Sequence, residues 1–389
     1  MKYILRRVLG CLPFFIGIAA GAQDIVLDAN FAVTTFYDDR FEVAIEDSNL
    51  AGIRYQPSAT FSYEGQTYQS ELGFRAVYND FLDPAFNDNT NFNISWDNSR
   101  SFERSSIQFG VTYNERLLED FVELDDLIEV SRSDEVQVLS LNPAFSYSLS
   151  QRTQIFGTYQ FSQTSLQTTD ANTGVSGEDF DSQTATFGLQ RALSEKSTLS
   201  FFASYTSFLS QSEFADQETA VFGFSVGGSR VLKNGWELSG SFGGQQVDVV
   251  VAAPGQFDTL EDGQVILTAD LEASRSSGRS TTVISATAGT SQQLDGVVDN
   301  QQGVGFSWSR DLSQKLSSNT NLRYFRADRS GRQDYSLTAG LDWRSSPRWS
   351  YSVNYQFRDL ITSAGGRDEG PSNRVTLRIN YSFRDLVLN

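Results

Sequence analysis

Apolar and polar residues alternate one by one over many separate runs of this 389-residue chain. In the last of these runs, residues 374–383, every second residue is apolar and those between are charged, hydroxyl or amide side chains. Because successive side chains of a β-strand point to opposite faces, the run predicts a strand with one apolar face and one polar face. The same alternation recurs in residues 53–63, 72–78, 92–96, 107–113, 141–147, 155–161, 220–226, 335–343 and 349–357.

The connections between these runs fall into two length classes that alternate along the chain. The short connections are residues 64–67, 98–104, 148–152, 192–197, 232–235, 275–280, 311–315 and 344–348. The long connections, mostly acidic, are residues 80–90, 114–135, 164–181, 211–217, 249–262, 291–300, 327–333 and 359–371. Short turns at one rim and long loops at the other are typical of outer-membrane barrels, whereas a soluble sandwich has no reason to sort its loops. We therefore predict an all-β fold, a transmembrane antiparallel up-and-down β-barrel with short periplasmic turns and long acidic extracellular loops.

The strand number follows from the same count. The runs from the first short turn to the C-terminus give 17 strands. An even number is needed if both ends lie in the periplasm and the first strand pairs with the last. Residues 24–36 alternate less regularly but supply the missing strand, so we predict 18 strands. Sixteen strands is the alternative, in which one weak hairpin is wrongly assigned.

The first 22 residues have the features of a secretory signal. Basic residues stand at positions 2, 6 and 7, residues 8–19 are mostly apolar, and residues 20–22 are small and offer a cleavage site. The apolar segment is too short to cross a bilayer as a helix. We expect residues 1–22 to be removed and residues 23–389 to form a single barrel domain.

Tryptophan gives an independent indication of a membrane. Each of the five Trp residues lies close to one of the short turns. Aromatic residues form girdles at the interfaces that membrane barrels cross. The expected girdle consists of Trp96, Trp236, Trp308, Trp343 and Trp349.

The residue types that the chain lacks exclude most catalytic chemistry. The chain has no histidine, and its only cysteine, Cys11, lies in the predicted signal. Histidine general bases, serine–histidine triads, the usual imidazole metal sites and disulfides are therefore excluded. We expect no enzymatic activity, no cofactor and no metal site.

The charge of the chain is unevenly distributed. Removing the three basic residues of the signal from a net charge of −18 leaves −21 for the mature chain, although residues 301–389 carry 13 basic and only 8 acidic residues. A strongly acidic body argues against nucleic acid as a partner. The expected partners are outer-membrane lipid and lipopolysaccharide, an exported glycan, and further copies of the chain, because porin-like barrels often form trimers.

Two segments share a local pattern, YQPSATFSY at residues 55–63 and LNPAFSY at residues 141–147, each followed by a turn and an aromatic strand. With Tyr37, Asp38 and Asp39 near the mature N-terminus, they make the chain resemble the outer-membrane β-barrel porins found with exopolysaccharide or exosortase export systems. The resemblance covers nearly all of the mature chain. It implies a barrel that serves polysaccharide export, and it assigns no functional residue. Residues 384–389 depart from the terminal aromatic residue common in such barrels.

The polar faces of the C-terminal strands carry arginine. If the apolar residues of 374–383 face lipid, the arginines between them face the lumen, and the same registers place three further arginines there. An arginine on the lipid face would cost roughly 2–4 kcal/mol near the midplane, which argues against the opposite orientation. Strand direction places all but Arg344 in the extracellular half. The predicted pore-lining residues are Arg323, Arg344, Arg358, Arg374 and Arg378.

The longest connection, residues 114–135, combines acidic residues with an apolar spacing that suits an amphipathic helix. We hypothesise that it folds against or into the mouth of the barrel and sets carboxylates across from the arginines, because opposed charges in a narrow space select solutes. The alternatives are that the arginines only pair with neighbouring carboxylates and that the loop is a solvated cap. The acidic residues of the hypothesis are Glu115, Glu119, Asp120, Glu123, Asp125, Asp126 and Glu129.

The sequence thus favours an outer-membrane channel for small solutes or for an exported polysaccharide chain, because barrels of 16–18 strands enclose an aqueous lumen. The residues between the apolar positions are largely Ser, Thr, Asn, Gln, Gly and Arg, which favours water over a packed interior. The alternative is a non-conducting structural or surface-binding barrel.

Overall fold

All strands belong to one antiparallel sheet in the computed structural model, which describes residues 25–39, 50–83, 88–117, 135–167, 179–211, 216–253, 256–292, 298–328, 331–362, 370–383 and 386–388. Within these ranges the structure contains strands and turns and no helix. The strands are β1 Ile25–Asp38, β2 Leu50–Glu64, β3 Tyr68–Phe81, β4 Asn89–Ser101, β5 Ser105–Leu117, β6 Glu135–Ser150, β7 Thr153–Gln167, β8 Asp179–Ser194, β9 Ser197–Gln211, β10 Asp216–Val231, β11 Trp236–Ala253, β12 Gln256–Ser277, β13 Ser280–Gln292, β14 Val298–Asp311, β15 Leu316–Ala327, β16 Arg332–Arg344, β17 Trp349–Thr362, β18 Gly370–Ser382 and β19 Leu386–Leu388.

The sheet closes on itself because β1 pairs with β2 on one side and with β18 on the other. Each remaining long strand pairs with its neighbours in sequence, so the chain forms a closed up-and-down barrel of 18 strands. The prediction of 18 strands, with the first near residues 24–36, is confirmed. β19 is not among the predicted strands; it extends the closing seam by pairing with the first three residues of β1.

Apolar side chains form the outer surface of the barrel. Leu377 pairs with Val353, and Ile379 pairs with Tyr351, so apolar residues of neighbouring strands lie side by side on one face. These outer side chains are not covered by protein, and the most exposed, Leu267, is 81% accessible. An uncovered apolar belt of this extent requires a hydrocarbon environment.

In most hairpins the strand bounds leave fewer residues between strands at the predicted short-turn rim than at the other rim. One difference concerns residues 249–262, predicted to be a long loop. There β11 continues to Ala253 and β12 begins at Gln256, with a register shift between Val247 and Val249. Three consecutive valines, residues 249–251, favour the extended backbone of a strand, which accounts for the longer hairpin.

The best-buried apolar cluster lies on the lumen side of the barrel wall, near one rim. Phe36, Leu50 and Phe81 come from β1, β2 and β3, close to the rim of long connections. The rings of Phe36 and Phe81 pack edge to face with their centroids 6.2 Å apart. This cluster packs β1, β2 and β3 together, and the same strands carry residues of the candidate functional site.

Candidate functional site

The polar faces of the strands form the wall of the barrel lumen. Most positions on this wall are Ser, Thr, Asn, Gln or Gly. Hydroxyl groups meet across strands, with Ser106 Oγ and Ser146 Oγ 2.8 Å apart and Thr184 Oγ1 and Thr206 Oγ1 3.1 Å apart. Short polar side chains occupy little volume and can hydrogen-bond to water, so the wall is suited to a hydrated interior.

Two of the predicted arginines form ion pairs with aspartates of the adjacent strand. Arg374 of β18 contacts Asp38 of β1, with Nη2 and Nε each 2.9 Å from Oδ2. Arg358 of β17 contacts Asp334 of β16, with Nη2 3.0 Å from Oδ2. Both aspartates are buried. Each of these two arginines is thus paired with a carboxylate of the neighbouring strand.

Arg323 and Arg344 also lie on the lumen face. Arg323 is directly opposite Ser336, and its Cζ lies 5.8 Å from the ring centroid of Phe325. Arg344 is exposed at the end of β16, beside a short turn. Arg323 and Arg358 flank the same residue, Ser336, so Arg323 lies beside the Arg358–Asp334 ion pair, whereas Arg344 lies at the far end of β16.

Arg378 lies in a recess of about 400 Å³ that also contains Arg75 of β3. Contrary to the sequence analysis, Arg378 is nearer to Ser382, at the short-turn end of β18, than to Gly370. The remaining residues that line the recess are Asn30, Gln56, Ser58, Asp342, Ser350, Tyr351, Ser352 and Asn380.

Arg54 of β2 is a third arginine close to this recess. The positive charges of Arg54 and Arg75 and the negative charge of Asp342 all act on Arg378. Arg54 Nε donates to Asn79 Oδ1 at 2.6 Å, and Asn79 Nδ2 donates to Asn89 Oδ1 at 2.7 Å. Neither Arg54 nor Arg75 is among the predicted pore-lining residues, although both occupy the polar register of the alternating runs 53–63 and 72–78.

The acidic-constriction hypothesis lies almost entirely outside the described residues. Of its seven members only Glu115 is described, and it belongs to β5 rather than to a loop. Glu115 lies two residues after Tyr113 on β5, so both side chains belong to the outer face. Gln137 Nε2 donates to Glu115 Oε1 at 3.2 Å. Glu115 therefore does not face the lumen. The other six residues, Glu119, Asp120, Glu123, Asp125, Asp126 and Glu129, are not described.

Phenylalanine side chains interrupt the polar wall on the opposite side of the barrel. The ring centroids of Phe156 and Phe202 lie 5.7 Å apart, as do those of Phe180 and Phe208. These residues belong to β7, β8 and β9, about half-way round the ring from β17 and β18. The sequence signal is a pair of adjacent apolar residues, such as Ile155–Phe156, where strict alternation requires a polar one.

Carboxylates on the lumen face are spread over several strands. Glu71 and Asp97 stand directly opposite each other on β3 and β4. Asp270 and Glu272 lie on the lumen face of β12. The lumen thus carries both signs of charge, and the strands around the closing seam hold arginines together with Asp38, Asp334 and Asp342.

The five tryptophans lie in the outer register of their strands, towards the rim of short turns. Trp349 packs against Tyr381 with a centroid distance of 4.8 Å, and Trp343 stacks on Tyr351 at 5.3 Å. Trp96 Nε1 donates to Ser70 Oγ at 3.3 Å. Trp236 and Trp308 complete the set. Their role as a girdle stays a prediction.

In the part of the chain that the structure describes, no helix has the length and hydropathy needed to cross a membrane. Across the same residues, no group of three or more Asp, Glu, Cys or His side chains could hold a metal ion.

No protein-family model matches the sequence, and no curated protein matches it either. The chain is similar in structure to the FrpB iron transporter from Neisseria meningitidis. The F5-1 variant in its apoprotein form matches with a TM-score of 0.56 and 9% identity, covering 94% of this chain and 82% of that one. The F3-3 variant matches over the same shares with a TM-score of 0.54 and 8% identity. OccK2 (OpdF) from Pseudomonas aeruginosa gives a TM-score of 0.49 and 12% identity over 93% of this chain and 98% of that one.

The fold conclusion rests on the FrpB comparison together with the surface of the barrel. A closed antiparallel barrel needs no sheet edge in lipid, and its outer belt here is apolar over neighbouring strands. The protein is an outer-membrane β-barrel.

Proposed function

We propose that the protein is a water-filled channel that passes small polar solutes across the outer membrane. The observation that carries the proposal is the lining of the closed barrel, which is mostly small polar side chains with arginines on one side. A ring of 18 strands is wide enough to leave an aqueous lumen between such side chains. The FrpB likeness supports the barrel, and the choice of solute rests on the lining alone.

Planar-bilayer recording of the refolded mature barrel tests this proposal. We expect stepwise current increases in potassium chloride as single barrels insert. A matched blank with detergent alone gives no such steps. If correctly folded barrels insert but carry no current, the protein is a structural or surface-binding barrel instead.

A second candidate solute is an exported polysaccharide chain. The specific observation in its favour is the aromatic contact of Phe156 with Phe202 on the lumen face, where both side chains are half-buried rather than fully covered. Aromatic rings offer flat apolar faces, against which the C–H faces of sugar rings can pack. The resemblance of the sequence to export-associated porins points the same way.

Current block by added neutral oligosaccharides separates this candidate from a general solute channel. We expect long oligosaccharides to interrupt the current, and Phe202→Ser to shorten these interruptions. Phe201→Ser, which changes the neighbouring outer-face residue, is the matched control. Equal block times in both variants and the native protein would exclude binding of the sugar chain to the lumen phenylalanines.

A further inference from the structure

We propose that the recess between Arg75 and Arg378 is a binding site for an oxyanion group, a carboxylate or a phosphate, carried by a solute in the lumen. The proposal deepens the function given above, because the solute reaches the recess through the lumen. It names the chemical class that the channel selects.

Two positive charges share this recess, and the one carboxylate in its lining, Asp342, forms an ion pair with neither of them. Among the described residues, neither Arg75 nor Arg378 takes part in an ion pair or a side-chain hydrogen bond. Arg75 is exposed to the lumen and Arg378 is half-buried. Like charges at close range repel, and the repulsion is relieved when an anion lies between them.

Arg75 and Arg378 differ from the ion-paired arginines of the same wall. Arg374 and Arg358 each hold an aspartate within 3.0 Å or less. Their guanidinium groups are thus already engaged. Arg75 and Arg378 keep their donors available, and a planar guanidinium can bind a carboxylate or phosphate through two parallel hydrogen bonds.

Polar side chains form most of the remaining lining of the recess. Asn30, Gln56 and Asn380 offer amide donors, and Ser58 and Ser352 offer hydroxyls. These groups can complete the hydrogen bonds of an anion or of the polar body that carries it. A few polar groups converging on a cavity of this volume are what a small-solute site requires.

Asp342 is the single carboxylate of the recess. It accepts a hydrogen bond from Asn319 Nδ2 at 3.3 Å, which holds it towards β15. Two arginines against one aspartate leave a net positive recess. A weakened attraction suits a channel, because a bound solute must also leave.

Calorimetric titration of the detergent-folded full barrel tests binding without any need for current. The probes are galacturonate, inorganic phosphate and neutral galactose. We expect heat of binding with at least one of the two anions and none with galactose. Arg75→Gln together with Arg378→Gln should weaken anion binding by at least about tenfold.

Arg100→Gln is the matched control, since it removes one arginine charge from the outer register of β4, where Arg100 lies over Phe102. It should bind the anions as the native barrel does. If the double glutamine variant does not fold, Arg75→Lys with Arg378→Lys keeps both charges and loses the planar fork, and it should bind more weakly than the native barrel. No anion binding by the native barrel, or equal binding by the arginine variants, would overturn the proposal.

Bilayer recording then separates this site from the channel itself. A barrel that conducts, prefers anions, and loses that preference in the double glutamine variant supports both proposals. A barrel that conducts with unchanged selectivity in the variant overturns the site and leaves the channel. A barrel that binds galacturonate or phosphate but never conducts supports the site and overturns the channel.

Asp342→Asn should change anion affinity in the direction opposite to that of the arginine variants. The substitution removes the negative charge that opposes the bound anion and leaves an amide oxygen to accept from Asn319. We expect anion affinity to rise several-fold, as measured by the same titration. Unchanged or weaker binding would show that the anion does not occupy this recess.

Discussion

At the scale of single residues, two neighbouring aspartates hold the closing seam. Asp38 pairs with Arg374, directly opposite in the register of β1 and β18. Asp39 accepts from the backbone N of Asn373 at 2.6 Å and from Asn373 Nδ2 at 2.7 Å. Both contacts join residues more than 330 positions apart in the sequence, as their separations of 336 and 334 show. The seam therefore depends on charged groups whose partners come from the other end of the chain.

Arg374→Gln should lower the free energy of unfolding of the barrel by about 2–4 kcal/mol, because it leaves the carboxylate of Asp38 buried without its partner. Urea unfolding in lipid vesicles measures this change. Asp38→Asn in the Arg374→Gln background should recover part of the loss, since no buried charge is then left alone. A single variant as stable as the native barrel would show that the pair contributes nothing.

The sequence predicted the face of the arginines and not their partners. Alternation tells which side of a strand Arg378 occupies, because the period of two is a local property. It carries no information on the relative register of strands far apart in the chain. The proximity of Arg75 to Arg378 arises only when β1 and β18 pair, so the recess could not be read from either segment alone.

At the scale of the strand, the alternation of apolar and polar residues with a period of two accounts for nearly all of the fold. Long runs with strict alternation became strands at the predicted positions. Local exceptions follow from local composition, as in the valine-rich hairpin at residues 249–262. The inward phenylalanines on β7, β8 and β9 were missed because the polar register was taken to be uniform along each strand.

Adjacent positions on β13 test which face meets lipid. Ile284 is exposed on the outer face, and Ser285 lies on the lumen face opposite Gly305 and Glu272. Ile284→Arg should destabilise the membrane-inserted barrel by about 2–4 kcal/mol, whereas Ser285→Arg should change stability by less than about 1 kcal/mol. Unfolding titrations in vesicles measure both. Equal costs at the two positions would contradict the assignment of inner and outer faces.

At the scale of the whole molecule, the barrel combines an apolar exterior with an interior of mixed charge. The two regions are separated by a single layer of β-sheet. Neighbouring residues of one strand therefore face different environments, lipid on one side and the lumen on the other. Since Cys11 is the only cysteine of the chain and lies in the predicted signal, single cysteines can report on this difference.

Ser58→Cys and Ala59→Cys form a matched pair for this purpose. Ser58 lines the recess, and Ala59 is opposite Phe74 on the outer face. In the vesicle-embedded barrel, we expect a water-soluble charged thiol reagent to modify the cysteine at position 58 and to leave that at position 59 unmodified. Mass spectrometry measures the extent of reaction. Protection of position 58 would mean that water does not reach the lumen.

The recess is assembled from both ends of the chain, since Arg75 follows β2 and Arg378 lies in the last long strand. An open, unsealed sheet contains both arginines but holds them apart. A solute that occupies the recess thus binds the finished cylinder in preference to its precursors, and by mass action it favours the final joining step. The solute that such a pore transports would therefore stabilise the closed barrel against its open precursors.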